Sequence, residues 1–384
     1  MNSLIKGTAI YQYFAEQYQL RIYNNFIKRH LSCSLLNSYS EDTLKTELKR
    51  RSLLRRTLSD PIVVAGFGTN DDWRRNGLWD ALTRLTDFNL YEVPDHGMAH
   101  VSNEYEEMRI KKDGFLRFIT FLEETKPVNV AFFAHSGRHI SDDLISQLHN
   151  MGIWTIIMSV DDKHQFIRPI DRVTSESHQL RVARQADIYW TNWKFGTQLV
   201  SSIGGNPLFM PEGANPAYYK PLNLKRDLDV VFIGSNYGYR QTLVNYLTDM
   251  GINVAAYGYG WLNGFLTSEE TILLYNRAKI VLGVGGVGRT IKVNHLKGRD
   301  FEVPMCGAVY LTNYNPELAD CFTIGKEIIC YGSFEECLEM ILSTLHDDHY
   351  AQAIRNAARC KSITHHTWVH RISQLMQYLT PFRP

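Results

Sequence analysis

The sequence predicts an α/β protein of two Rossmann-like domains preceded by a helical extension, and three observations carry that expectation. A chain of 384 residues exceeds the usual size of a single hydrophobic core. From Pro61 onward, short apolar runs alternate with amphipathic stretches, the pattern of β-α-β units around a parallel sheet. Near the middle, the aperiodic segment PEGANPAYYKPLNLKRD with its three prolines interrupts this alternation, which then resumes. The hydrophobic fraction of 44% and charged fraction of 21% are those of an ordinary globular protein and exclude a disordered chain or a disulfide scaffold.

Residues 1–60 read as helical and end in LKRRSLLRR, where Leu48, Leu53 and Leu54 stand among Lys49, Arg50, Arg51, Arg55 and Arg56. The favoured reading is a solvated helix packed on the main body; the other is a peripheral contact through residues 45–56 with an anionic membrane or polyanionic acceptor. Residues 61–220 form the first domain. PIVVAGFGTNDD reads as strand and loop, WRRNGLWDALTRLT as helix, NVAFFAHSG as strand and DDLISQLHNMG as helix. WTIIMSVDD, HQLRVARQ, ADIYWTNW and KFGTQLVSSIGG then read as strand, helix, strand and helix.

Residues 221–366 form the second domain. DVVFIGSNYG, INVAAYGYG, KIVLGVGGVG and AVYLTNY are its strands; YRQTLVNYLTDMG, SEETILLYNRA and GRDFEVPMCG supply helices, and further helices follow from Ser333. Residues 367–384 form a terminal helix expected to cross back to the first domain. Lys plus Arg number 41 against 40 Asp plus Glu, so no global field draws the chain to nucleic acid or membrane. Six cysteines without CxxC spacing indicate free thiols in a reducing compartment. The N-terminus lacks a signal-peptide pattern and no run approaches the roughly 18 apolar residues of a spanning helix, so the expected location is cytoplasmic, with peripheral contact at the inner membrane face as the extension of that reading.

Three segments carry chemistry. Gly283 to Gly288 matches GxGxxG, but the continuous helix and later acid of a dinucleotide site are missing, so Gly285 serves either a phosphate or a close backbone approach. In Phe232-Ile233-Gly234-Ser235, Gly234 and Ser235 end a strand and Arg240 opens the next helix, a geometry suited to a diphosphate; the competing reading is an ordinary turn with a surface arginine. LKGRDFEVPMCG places Lys297, Arg299 and Glu302 at the start of a helix, where the carboxylate suits two ribose hydroxyls and the cations suit phosphates; otherwise Arg299 and Glu302 form a local i,i+3 pair.

Through IVLGVGGVG, LKGRDFEVPMCG, YLTNYNPEL, IGKEIICY and HTWVHR, roughly residues 229–371, the sequence resembles the CgeB-like (spore-maturation-protein-like) glycosyltransferases. The first half resembles them only through VDD at 160–162 and PEGANPAYYKP, and residues 1–60 are not covered. The resemblance implies a GT-B architecture of two domains facing a cleft, a nucleoside diphosphate sugar of UDP or GDP type as donor, no metal or other cofactor, and Glu302 on the donor's ribose. The position eight residues earlier is Asn294 where related retaining enzymes carry a second glutamate, so stereochemistry stays open.

An acceptor base belongs on loops at the carboxyl ends of the first domain's strands. Asp71, Asp72, His135, Asp161 and Asp162 stand there, and His135 and Asp162 rank together as catalytic candidates. Tyr257, with Tyr259 and Trp261, offers an aromatic face for a nucleobase or packs the core. Thr367 caps the last helix in preference to catalysis by His365 or His366. Asp227 and Asp229 make a formal DxD that precedes its strand, unlike a metal site. The expected reaction moves a hexosyl group to a saccharide or other hydroxyl acceptor; the alternatives are a non-catalytic protein that retains the fold and a nicotinamide oxidoreductase using GVGGVG.

Overall fold

The computed structural model describes residues 9–31, 39–93, 104–135, 137–166, 178–288 and 290–383, and the chain divides into two bodies. The N-terminal body comprises Lys28–Pro211 and Trp368–Pro384; the C-terminal body comprises Met1–Ile27 and Glu212–Thr367. The expected 1–60 extension is therefore shared. The greater part of helix α1 (Ala9–Leu31) belongs with the C-terminal body, where Glu16 Oε1 accepts from Thr290 Oγ1 at 2.9 Å. Helix α2 (Glu41–Ser52), capped by Ser40 at the Thr43 N–H, belongs with the N-terminal body and buries Leu44 and Leu48 in its core.

In the N-terminal body the chain runs through β1 (Val63–Gly68), α3 (Asp80–Leu85), β2 (Asp87–Glu92), α4 (Glu104–Glu124), β3 (Val130–Phe133) and α5 (Asp142–Asn150). It continues with β4 (Trp154–Ser159), α6 (Asp162–Gln165), α7 (His178–Gln185), β5 (Ile188–Thr191), α8 (Lys194–Ser202) and β6 (Pro207–Phe209). The sheet is parallel with order β2-β1-β3-β4-β5-β6. Every residue of β1, β3, β4 and β5 is buried, which is why these strands read as unbroken apolar runs: both faces are covered.

The cationic end of α2 is largely committed inside this body. Arg51 Nη1 and Arg55 Nη2 reach Asp187 Oδ1 at 3.1 and 3.0 Å, and Arg50 pairs with Glu47. Burial opposes ionisation of Asp187, yet hydrogen bonds and charge from His149 and Arg55 hold its carboxyl well below the ordinary value.

The C-terminal body contains β7 (Leu228–Ile233), α9 (Arg240–Asp249), β8 (Val254–Tyr257), α10 (Ser268–Arg277), β9 (Ala278–Leu282) and α11 (Arg299–Met305). Then come β10 (Val309–Asn313), α12 (Pro316–Cys321), β11 (Ile329–Tyr331), α13 (Phe334–His346) and α14 (Asp348–His365). Its parallel sheet has order β11-β10-β9-β7-β8, so the winding reverses between β7 and β9. Helix α15 (Trp368–Leu379) returns to the N-terminal body, burying Ile372, Leu375 and Leu379 in the same core as Leu44.

The structure adds what the pattern did not announce. Strand β2 lies at a sheet edge and is half-exposed throughout, so it lacks an apolar run. Strands β6 and β11 have three residues each, too few to show a period. The segment read as one helix from Trp73 begins as a π-helical turn, Arg74–Trp79, before α3. Cys33 lies outside the described residues; Cys306, Cys321, Cys330, Cys337 and Cys360 are free thiols. No helix among the described residues is long and apolar enough to cross a membrane.

Candidate functional site

Chemistry concentrates where the C-terminal sheet reverses, the place where open parallel sheets present a crevice at their carboxyl ends. Arg299, first residue of α11, spans that reversal: Nη1 donates to Ile233 O at the end of β7 (2.5 Å) and Nη2 to Val284 O beyond β9 (3.3 Å). Arg240, first residue of α9, donates to Ser235 O (2.7 Å) and shares Val284 O (3.4 Å). Both guanidiniums sit near the Phe232 ring, and Tyr237 stacks on Arg240 at 4.0 Å.

Gly234 makes this convergence possible. A Cβ there would meet Arg299 Nη1 at 2.6 Å and Arg240 Nη1 at 3.5 Å. Trp261 Nε1 donates to Gly234 O at 2.7 Å and fixes the turn from the β8 side. Among the described residues neither guanidinium makes an ion pair with a carboxylate, and Nε of Arg299 is buried without a hydrogen-bond partner. Burial first, and the neighbouring Arg299 charge second, lower the Arg240 guanidinium to about 10. Burial works against the Arg299 guanidinium too, but Tyr310, Tyr275 and the charge of Asp300 raise it, so it stays a firm cation. Two guanidiniums side by side, hydrogen-bonded to carbonyls, form a site electrostatically suited to an anion.

Glu302 lies one turn into α11. Burial raises its carboxyl to about 7, opposed by a hydrogen bond from Tyr219 and by the charge of Arg299. The local Arg299–Glu302 pair is not formed, because the guanidinium is drawn to the β7 and β9 carbonyls. Lys297 Nζ lies 2.7 Å from His295 Nε2, and its backbone N–H donates to Asp300 Oδ2 at 2.9 Å. Asp300, buried, also accepts from Tyr310 O–H at 2.8 Å. This acid anchors the start of α11 to β10.

The glycine loop turns inward. Gly285 N–H donates to Asn313 Oδ1 at 3.0 Å, and a Cβ on Gly286 would strike Thr290 O and the Tyr239 ring. Beyond β9 the chain forms a bridge between Gly286 and Asn294 in place of the helix a dinucleotide fingerprint requires. Its glycines serve packing against the protein's own backbone and rings.

Residues 240–377 match the family model described as glycosyl transferase-like. No functionally curated protein matches the sequence. Among solved structures, Anabaena Alr3699/HepE in complex with UDP and glucose is similar at TM-score 0.59 and 12% identity, covering 83% of this chain and 100% of that one. Sucrose-phosphate synthase from Thermosynechococcus elongatus gives TM-score 0.61 at 11% identity, covering 83% and 99%. AviGT4, a glycosyltransferase involved in avilamycin A biosynthesis, gives 0.53 at 16%, covering 84% and 98%. The fold is GT-B.

In the GT-B fold of this chain the sheet of the N-terminal body reverses between β1 and β3. His135 stands just past β3, partly exposed, its ring 4.0 Å from that of His139. Asp162 opens α6 fully buried, accepting from Tyr189 O–H at 2.6 Å, and burial raises its carboxyl to about 6. The two catalytic candidates thus differ in kind: only His135 has an exposed surface. Asp71 and Asp72 pair with Arg74 and Arg75.

Tyr257 ends β8, where its carbonyl accepts from Gly234 N–H at 2.9 Å, while Tyr259 is exposed beside Phe265. His366 is buried, a ring nitrogen 2.9 Å from Cys321 O, which is a structural position. Asp227 and Asp229 pair with Arg277 and Lys279 at the amino ends of β7 and β9. Among the described residues no cluster of three metal-ligating side chains occurs. Tyr219 and Asp300 were the contributors sequence reasoning passed over. Tyr219 sits in the aperiodic linker, and Asp300 is hidden by its more conspicuous charged neighbours.

Proposed function

We propose that this protein is a metal-independent glycosyltransferase that moves a hexosyl group from a UDP- or GDP-type sugar to a saccharide or other hydroxyl acceptor. The observation that carries the reading is the convergence of Arg240 and Arg299 on Gly234 without an ion-paired carboxylate among the described residues. A diphosphate would bind the two guanidiniums, and the same cations would stabilise the charge that develops as the leaving group departs. The family match over 240–377 spans both arginines, and structures of similar fold hold UDP and UDP-glucose.

Ser235 and the Gly234 turn would face the phosphates, Glu302 would accept from ribose hydroxyls, and Tyr257 and the Gly285 loop would flank the donor. Lys297 would add positive charge. In the reaction the acceptor oxygen bonds to the anomeric carbon, the bond to the diphosphate breaks with its electron pair going to the nucleoside diphosphate, and the acceptor's proton passes to His135. Asp162, sealed from solvent, supports this side of the chemistry indirectly. The free thiols fit a reducing, cytoplasmic setting. Exposed Leu53 and Leu54 beside Lys49 and Arg56 keep a peripheral membrane contact in the reading.

Calorimetry with a panel of UDP- and GDP-sugars, coupled to detection of released nucleoside diphosphate, tests the reading. Binding with release on addition of acceptor is expected. Binding without turnover would favour a non-catalytic nucleotide-sugar-binding protein, and absence of binding would end both.

A further inference from the structure

The N-terminal body contains a line of buried hydrogen bonds outside the donor site. Gly137 N–H donates to Gln179 Oε1 at 2.7 Å, Gln179 Nε2 donates to Tyr189 O–H at 2.9 Å, and Tyr189 O–H donates to Asp162 Oδ1 at 2.6 Å. All donors point the same way, toward one carboxylate, so each link polarises the next. Exposure is 0% for Asp162 and 2% for Gln179, which leaves water no access to substitute for a broken link.

The line connects four elements: α6 through Asp162, β5 through Tyr189, α7 through Gln179, and the 3₁₀ turn Gly137–His139. That turn follows His135 and ends in His139, whose ring meets His135 at 4.0 Å. Its backbone is clamped in two further ways. Arg181 Nη2 donates to Gly137 O at 3.5 Å and, just past the turn, to Ile140 O at 2.9 Å, and a Cβ at Gly137 would strike His178 O at 2.7 Å and Val182 Cγ2 at 2.8 Å, so glycine is required for α7 to approach.

We infer that Asp162, Tyr189 and Gln179 form a positioning relay that sets the turn carrying His139 and, through it, the orientation of the His135 ring. This rests on the reading of His135 as proton acceptor, but the geometry of the relay does not. Asp162 then acts at a distance through two intermediates. Its carboxylate is the terminal acceptor that orders the Tyr189 hydroxyl, and the ordered hydroxyl holds the Gln179 amide in the flip state that receives Gly137 N–H.

Tyr189→Phe removes the central hydroxyl with almost no change of volume, and melting together with far-UV dichroism establishes that the full chain is folded. Two-dimensional NMR of the histidine rings is expected to show altered His135 and His139 signals, with kcat lowered about ten- to hundredfold. Donor affinity and donor KM stay unchanged, since the relay touches no donor-binding residue. Asp162→Asn, which keeps a carbonyl acceptor for Tyr189, is expected to retain more activity than Asp162→Ala. Unchanged histidine signals in folded Tyr189→Phe would overturn the relay. Histidine signals that move while His135→Asn transfers sugar at the full rate would leave the relay standing and remove the base assignment instead.

Discussion

Asp187 in the N-terminal body and the Arg240–Arg299 pair in the C-terminal body are opposite answers to the same electrostatic problem. Asp187 is buried at 0% exposure and completely answered, by two arginines, by Thr155 N–H at 2.9 Å and by His149 at 3.4 Å. Arg240, at 5% exposure, and its neighbour Arg299 are answered by carbonyls and a phenol hydroxyl, with no ion-paired carboxylate among the described residues. The difference separates charge that builds a fold from charge left open to the proposed donor. A compensated cluster fastens α2 to the body; the arginine pair, which makes no ion pair with a carboxylate among the described residues, keeps donor capacity that an anion can take up.

The largest expected effect breaks the compensated side. The double change Arg51→Ala, Arg55→Ala leaves Asp187 buried without its guanidinium partners and should cost about 3–5 kcal/mol in denaturant unfolding. A loss under about 1 kcal/mol would show that Asp187 is solvated and that the comparison is drawn in the wrong place. On the uncompensated side, Arg299→Ala should weaken donor binding about a hundredfold, near 3 kcal/mol by calorimetry. Stability should fall as well, because Arg299 bridges Ile233 O and Val284 O and its charge offsets the burial of Asp300 and Glu302. Arg299→Lys should not restore affinity, since a point charge cannot reach Ile233 and Val284 together. Donor affinity that survives Arg299→Ala would sink the donor assignment.

Much of this was legible in the sequence, for identifiable reasons. Parallel strands covered on both faces read as apolar runs, so β1, β3, β4, β5 and β10 announced themselves, as did β7, β9 and the edge strand β8 between clear helical segments, and Gly234, Arg240, Arg299 and Glu302 stood at the turns those strands imply. The half-exposed edge strand β2 and the three-residue β6 and β11 carried no such signal. Charge pairing was the harder part. Spacing alone offered Arg299 to Glu302, and only the sheet reversal shows the guanidinium drawn to Ile233 O. Likewise VDD presents two equivalent aspartates, while folding buries Asp162 beneath Tyr189.

Buried acids sharpen the comparison through pH. Burial raises Asp162 and Asp300 from an ordinary 3.8 to about 6, and Glu302 from 4.5 to about 7. In each the folded state binds its proton more tightly than the unfolded state, so stability falls as pH rises from about 4 toward 7 and levels off above. The donor-free protein should therefore gain on the order of 1 kcal/mol or more between pH 8 and pH 5. Asp187, shifted in the opposite direction, withdraws its contribution only at lower pH. Donor affinity should run the other way. Protonated Glu302 has lost acceptor capacity for ribose hydroxyls, so binding should weaken as pH falls through about 7, and Glu302→Gln should bind weakly with that pH dependence flattened. A donor affinity flat from pH 6 to 8 in the unmodified protein would detach Glu302 from the ribose.

The smallest effect is expected at a third kind of charge, paired but exposed. Asp227 faces Arg277 at 2.7 Å and Asp229 faces Lys279 at 2.7 Å, with side chains 37–44% exposed at the amino ends of β7 and β9. Water screens both pairs, so neither is open to an anion as the arginines are nor fastens elements as Asp187 does. They are also the only part of the chain that formally spells DxD, and the sheet puts them at the end opposite Gly234, one strand length away from the arginines. The double change Asp227→Asn, Asp229→Asn should leave donor affinity and turnover as they were and shift the melting temperature little. Added manganese or magnesium should not alter its rate relative to the parent protein. If instead the double variant loses transfer, or if the parent's transfer requires a divalent ion that the variant no longer answers to, diphosphate neutralisation by Arg240 and Arg299 alone is the wrong account of catalysis.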